Sequence, residues 1–133
     1  MQILAKIKNT QQENDIIVST GDNERRINIP GKTEGRGSSV NGGELLFLAL
    51  ATCFCNDIYR EANKRKMDIQ SVEVVVNGDF GEEGEAGSNI NYEAKIEAPG
   101  HSQQEIDDLV QYVDGVAEIH NTLRKGASIS LKI

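Results

Sequence analysis

The chain contains only two cysteines, Cys53 and Cys55, and these side chains have the widest chemical repertoire in the sequence. Both fall in a predicted helix, where a separation of two residues places them about 200° apart around the axis. Their side chains therefore point to different faces, and we expect them not to form a disulfide with each other. Burial without reactivity is the usual role of a free cysteine, so a reactive thiol needs a nearby cation to lower its pKa.

Two arginines are candidates for that cation. Arg60 lies two turns beyond Cys53 on the same face of the predicted helix, and Arg36 lies in the loop before the helix. The helix N-terminus itself is too distant, because Cys53 follows the predicted N-cap, Asn41, by about 18 Å along the axis. For each arginine a solvated surface position is the ordinary alternative.

The other candidate groups give weaker signals. His101 and His120 are the only histidines, and His120 lies on a predicted helix where it either faces a thiol or sits on the surface. The sequence has no CxxC or HxxxH spacing, and its glycine-rich segments match neither a P-loop nor a dinucleotide-binding fingerprint. We therefore expect no metal ion and no cofactor.

Length and charge narrow the class of protein. With 133 residues and no linker-like segment, the chain is expected to form a single domain over 1–133. Its formal net charge of -7 argues against nucleic-acid binding and against a basic membrane-binding surface. The longest apolar run, Leu45 to Cys55, is about half the length of a membrane span. The N-terminal segment lacks a signal-peptide layout, so we expect a cytoplasmic protein with reduced thiols.

Periodicity predicts an α+β protein with the order β-β-β-α-β-β-α-α-β. Short alternating apolar runs predict a three-strand opening meander, a hairpin around residues 72–96, and a closing strand through Ile129, Leu131 and Ile133. Asn41 with Glu44, and Ser102 with Glu105, have the spacing of capping boxes. The first box opens a helix to about Lys66, and the second opens an amphipathic helix followed by a shorter one.

The first half of the first helix, Leu45 to Phe54, is apolar on every side. Such a segment must be covered on all sides, and a chain of this size has little other apolar surface with which to cover it. A partner subunit is the expected cover, which predicts a homodimer.

The segment Asn41–Phe54 reads NGGELLFLALATCF and resembles the signature N-P-E-E-L-L-x-A-A-x-A-A-C-F of the OsmC/Ohr family. These are the osmotically inducible and organic-hydroperoxide-resistance proteins. The later segment Ala117–Leu123, AEIHNTL, resembles the family's C-P-V-S-N-T-L, and the predicted order of elements also agrees. The resemblance implies an OsmC-like fold, with a central buried helix in an intertwined homodimer whose active sites lie at the subunit interface.

The resemblance also implies a chemistry in which a peroxidatic thiolate, activated by an arginine and a glutamate, becomes a sulfenic acid and then forms a disulfide with a second cysteine. Cys53 matches the peroxidatic position. Ala117 stands at the second cysteine and Gly43 at the glutamate, with Glu44 one residue further. The predicted catalytic residues are Cys53, Arg36, Glu44 and His120.

Two functions follow as hypotheses. The first is a thiol-dependent organic hydroperoxide reductase for oxidative-stress defence, with Cys53 as the peroxidatic cysteine and an external thiol as the reductant. The alternative is a degenerate, non-catalytic OsmC-like protein that binds a small apolar or thiol-reactive ligand at the dimer interface.

Overall fold

A computed structural model describes residues 1–133. The chain divides into two compact units, Met1–Leu45 and Leu46–Ile133. Five strands and three helices follow one another in the order β1 (Ile3–Thr10), β2 (Glu13–Thr20), β3 (Asn23–Ile27), α1 (Gly42–Lys64), β4 (Ser71–Asp79), β5 (Ser88–Glu97), α2 (Gln103–Val116) and α3 (Glu118–Arg124).

The first unit contains the predicted meander. Its antiparallel sheet has the order β1-β2-β3, and the first hairpin pairs Ile7 with Ile16. The turn between these strands places Gln11 at φ 54°, a left-handed conformation that lets the chain reverse in a short loop. β1 and β3 bury little of their surface, so their apolar side chains stay largely exposed.

The start and the end of α1 both have local causes. At its start the Glu44 carboxylate accepts a hydrogen bond from the Asn41 amide at 3.0 Å, and the Asn41 side chain accepts one from the Glu44 amide at 2.8 Å. The predicted capping box is therefore confirmed. The helix ends at Lys64, and Lys66 then adopts a positive φ of 56°. No helix of the protein is both long and apolar enough to cross a membrane.

The second unit is organised around the middle of α1. β4 and β5 form an antiparallel hairpin that pairs Val74 with Ala94. The predicted capping box of Ser102 and Glu105 opens α2. A core cluster of Phe54, Ile58, Ala62, Leu109 and Val113 joins α1 to α2, and apolar residues of both strands pack against it.

The structure differs from the sequence prediction at the closing strand. No strand follows α3, and Ile129, Leu131 and Ile133 are almost fully exposed. Alternation supplies one apolar face, but a strand also needs a neighbouring edge for its backbone hydrogen bonds. The isolated chain pairs no edge with this segment.

Candidate functional site

Cys53 lies beside two carboxylates in the second unit. Its side chain is partly buried, and its Sγ–H donates to Asp57 Oδ2 at 3.7 Å. Asp57 stands four residues later on α1, the spacing that places two side chains on the same helical face. Glu118 at the start of α3 places its Oε2 3.9 Å from the same sulfur.

Arg60 completes the group on the carboxylate side. Its Nη1 lies 2.9 Å from Asp57 Oδ1 and 3.5 Å from Glu118 Oε1, and its Nε donates to Glu61. The guanidinium is therefore paired with carboxylates and makes no hydrogen bond with the thiol. We refer to Cys53, Asp57, Arg60 and Glu118 as the thiol–carboxylate cluster.

The electrostatics of this cluster favour the protonated thiol. Burial raises the pKa of Cys53, and the charges of Asp57 and Glu118 raise it further, against an opposing hydrogen bond from the Ile119 backbone. Burial, followed by the charge of Glu118, also raises the pKa of Asp57. A nucleophilic thiolate at this position therefore requires a group that accepts its proton.

Asp57 has the geometry of that acceptor. Its side chain is buried, one carboxylate oxygen faces the sulfur, and the other is held by Arg60. A nucleophile, a base and a third group that orients the base form the arrangement through which proteins activate weak nucleophiles. The arrangement can remove the thiol proton as the sulfur attacks an electrophile.

The same cluster contains the donors that could hold a metal ion. The ligand atoms of Cys53, Asp57 and Glu118 lie within 4.8 Å of one another. A thiolate with two carboxylates is a donor set that divalent transition metals accept. Arg60 already neutralises part of the carboxylate charge, and exposed acidic groups such as Glu118 often lie together without a metal.

Of the four predicted catalytic residues, Cys53 alone belongs to the cluster. Glu44 lies about 13 Å before it along the axis of α1, where its carboxylate caps the helix. Arg36 lies in the loop between β3 and α1, in the first unit. His120 lies on α3 and is buried, and neither ring nitrogen has a hydrogen-bond partner, so it does not contact the thiol through a hydrogen bond.

Sequence reasoning gave no catalytic role to Asp57 or Glu118. The contact of Asp57 with Cys53 could have been predicted from the sequence, because Asp57 stands one helical turn later on the same face. Glu118 follows Ala117, the residue that stands at the second-cysteine position, but nothing local indicates that its carboxylate reaches the sulfur. Only the packing of α3 beside α1 brings that pair together.

The fold and the sequence together define the class of protein. The family model described as OsmC-like protein matches residues 35–132, so the chain belongs to the OsmC-like protein family. Among curated proteins, none matches the chain.

Solved structures agree with the fold. An OsmC-like protein from Mycoplasma pneumoniae is 19% identical, with a TM-score of 0.63, and the match covers 93% of this chain and 89% of that one. An OsmC-like protein of unknown function from Vibrio cholerae is 13% identical, with a TM-score of 0.65 and coverage of 92% and 93%. The organic hydroperoxide resistance protein OhrB of Bacillus subtilis is 16% identical, with a TM-score of 0.55 and coverage of 92% of each chain. The predicted OsmC-like α+β fold is confirmed.

Proposed function

We propose that the chain is a one-cysteine thiol peroxidase for organic hydroperoxides, with Cys53 as the nucleophile and Asp57 as its proton acceptor. The observation that carries the proposal is the 3.7 Å contact between the Cys53 sulfur and Asp57 Oδ2, an oxygen of a buried carboxylate. Family membership supports the reaction class, since structural relatives include proteins named for organic hydroperoxide resistance.

The reaction uses the cluster as follows. As the sulfur attacks the terminal oxygen of ROOH, Asp57 takes the thiol proton, the O–O bond breaks, and the proton is delivered to the departing alkoxide. Cys53–SH and ROOH thus become Cys53–SOH and ROH. Arg60 holds Asp57 in position through the hydrogen bond to Oδ1. Proton transfer of this kind typically accelerates a reaction by about 10² to 10⁴.

The proposed cycle is closed by an external thiol. Ala117, which aligns with the second cysteine of the family, has no group that can attack a sulfenic acid. Two equivalents of a small thiol would return Cys53–SOH to Cys53–SH, with one water and one disulfide of the small thiol as products. Among the other residues predicted from sequence, Arg36 stays a proposed cation, while the contacts of Glu44 and His120 lend no support to a direct catalytic role.

A homodimer is part of the proposal. Leu48 on α1 is 60% exposed, Ile3 and Ile7 on β1 are 65% and 56% exposed, and the apolar segment after α3 is uncovered. Isolated domains rarely leave this much apolar surface in water, so a second copy is the proposed cover. Light scattering at micromolar concentration should give the mass of a dimer, and a stable, well-folded monomer would contradict this part of the proposal.

The experiment for the chemistry is adduct mapping by mass spectrometry. Stoichiometric cumene hydroperoxide, followed by dimedone, should label Cys53 and spare Cys55, and it should do so faster than hydrogen peroxide does. The variant Cys53→Ser should lose the label, and the matched variant Cys55→Ser should keep it. Uptake of oxygen at Cys53 no faster than at free cysteine would overturn the peroxidase proposal.

A specific observation favours the second candidate, a non-catalytic protein that binds a small ligand. The pKa of Cys53 is raised by burial and by neighbouring carboxylates, whereas a peroxidatic thiol needs a lowered pKa. Binding of a ligand requires no ionised thiol, so this candidate survives if oxidation of Cys53 proves slow.

A further inference from the structure

A line of alternating charges continues from the thiol along one face of α1. Asp57, Arg60, Glu61 and Lys64 have the i, i+3, i+4, i+7 spacing that keeps side chains on the same face of a helix. The line begins one helical turn after Cys53. The proposed reaction uses Asp57 and Arg60, and it leaves Glu61 and Lys64 without a role.

Glu61 is the unexpected member of this line, because it is a carboxylate that is only 5% exposed. Removing a charge from water is costly unless partners compensate for the lost hydration. Two cations do so, since Arg60 Nε donates to Glu61 Oε2 at 3.3 Å and Lys64 Nζ lies 2.9 Å from the same oxygen. The hydrogen bond from Lys64, opposed by burial and assisted by Arg60, lowers the pKa of Glu61, so the carboxylate is charged at pH 7.

Arg60 needs more than one anchor to stay in place. Its side chain is long and 42% exposed, so an ion pair with Asp57 alone would be a weak tether. Hydrogen bonds at two separate atoms, Nη1 to Asp57 and Nε to Glu61, fix both the position and the orientation of the planar guanidinium. The contact with Glu118 is longer, at 3.5 Å, and comes from a largely exposed side chain. Glu61 is therefore the second buried anchor of Arg60.

The place of the guanidinium matters to the thiol through Asp57. Burial, followed by the charge of Glu118, raises the pKa of Asp57, and the positive charge of Arg60 opposes both effects. If Arg60 moved away, Asp57 would keep its own proton up to a higher pH and could not take one from Cys53. Its carboxylate would also be free to turn away from the sulfur.

We propose that Glu61 is a positioning residue of the thiol–carboxylate cluster, which holds Arg60 on Asp57 Oδ1 and so keeps Oδ2 directed at the Cys53 sulfur. The proposal rests on the proposed function, in which Asp57 accepts the thiol proton. Glu61 makes no hydrogen bond with the sulfur and acts only through Arg60. Lys64 balances the charge of Glu61 and has no part in the positioning.

The variant Glu61→Met, on a Cys55→Ser background, removes the anchor. Methionine has a similar shape but cannot accept a hydrogen bond from Arg60, so oxidation of Cys53 by cumene hydroperoxide at pH 7 should slow by about tenfold. The acid limb of the rate–pH profile, where the rate falls because Asp57 becomes protonated, should move to higher pH. Loss of the negative charge of Glu61 would by itself move this limb to lower pH, so the direction of the shift separates positioning from charge.

Two matched variants complete the test. Glu61→Gln keeps an acceptor oxygen for Arg60, so it should retain the parent rate to within about twofold. Lys64→Met breaks the other ion pair of Glu61 and should leave the rate and the profile in place. Replacing a buried charge by an apolar side chain of similar volume is often tolerated, and thermal unfolding shows whether each variant keeps its fold.

NMR of the arginine side chains tests the positioning without peroxide chemistry, in protein that carries Cys53→Ser and ¹⁵N-labelled arginine. Rotation about the Nε–Cζ bond of Arg60 should be slow in this parent and in its Glu61→Gln and Lys64→Met variants, because the guanidinium is held at two atoms. In Glu61→Met the rotation should become as fast as that of Arg25, an exposed arginine on β3.

Four results would overturn the proposal. They are slow rotation of Arg60 in Glu61→Met, an unchanged oxidation rate in that variant, a shift of its acid limb to lower pH, and an equal loss of rate in Lys64→Met. A parent protein that does not react with the hydroperoxide would instead overturn the proposed function. The NMR comparison, made without Cys53, would still decide whether Glu61 positions Arg60, so the two failures are distinguishable.

Discussion

Cys53 and Cys55 lie two residues apart on α1, and both are partly buried, yet their surroundings differ. The sulfur of Cys53 faces the carboxylates of Asp57 and Glu118. Cys55 instead lines a surface depression whose other residues, from α1 and β4, carry no ionisable group, namely Ala51, Thr52, Asn56, Val72 and Val74.

The difference shows that position around the helix, more than residue type or exposure, decides what each thiol can do. A rotation of about 200° separates a sulfur with a proton acceptor from one without such a group among its neighbours. Titratable groups held close together at one place are a mark of functional sites, although structural ion pairs also produce them. Variants that remove a carboxylate beside Cys53 therefore test whether this cluster is a functional site or only a structural group of ion pairs.

The largest expected effect comes from Asp57→Asn. If Asp57 accepts the thiol proton, oxidation of Cys53 by cumene hydroperoxide at pH 7 should slow by about a hundredfold. If the carboxylate only raises the pKa of the thiol, its removal should increase the thiolate fraction and make oxidation faster. The sign of the change, measured by stopped-flow consumption of peroxide, therefore decides between the two roles.

The matched control is Asp108→Asn on the exposed side of α2, where the carboxylate bonds only to Gln104. This variant should oxidise at the wild-type rate. Because Asp57 is buried and paired with Arg60, its substitution could destabilise the fold. Thermal unfolding of both variants shows whether a change in rate reflects lost structure. A faster reaction in Asp57→Asn would contradict the proposed difference between Cys53 and Cys55, since Asp57 would then lower the reactivity of Cys53 instead of accepting its proton.

Much of the fold follows from local sequence signals. Both capping boxes begin helices where the sequence places them, because Asn41 and Ser102 each stand three residues before a glutamate that completes the reciprocal bonds. The hairpin of β4 and β5 follows from alternation. The prediction of a closing strand was wrong. The alternation of Ile129 and Leu131 does not indicate whether the edge of a neighbouring strand is available for pairing.

Less of the candidate site than of the fold could be predicted from the sequence. Cys53 is predicted from its match to the family motif, and Arg60 is related to it by helical spacing, which places both on one face of α1. The sequence predicts a cation beside the sulfur, whereas in the structure the guanidinium of Arg60 is paired with Asp57 and Glu118. Glu118 comes 65 positions after Cys53, so its approach depends on how α3 packs, which no local pattern encodes.

The smallest expected effect concerns Glu118→Gln, measured on a Cys55→Ser background so that Cys53 is the only thiol. The negative charge of Glu118 helps to raise the pKa of Cys53, so its removal should lower that pKa and increase the thiolate fraction at pH 7. Alkylation by iodoacetamide should become about twofold faster, a modest change because the Glu118 side chain is 65% exposed and water screens its charge.

The pH profile of that alkylation makes the test sharper. In the parent protein the rate should rise with pH to a midpoint above the ordinary cysteine value of about 8.5, and in Glu118→Gln the midpoint should move to lower pH. High salt should shrink the difference, since screening acts on the same exposed charge. Glu93→Gln, an exposed glutamate on β5 outside the thiol–carboxylate cluster, is the control and should leave the profile in place. An unchanged profile in Glu118→Gln would mean that the carboxylate of α3 does not act on the sulfur, and Asp57 alone would then distinguish Cys53 from Cys55.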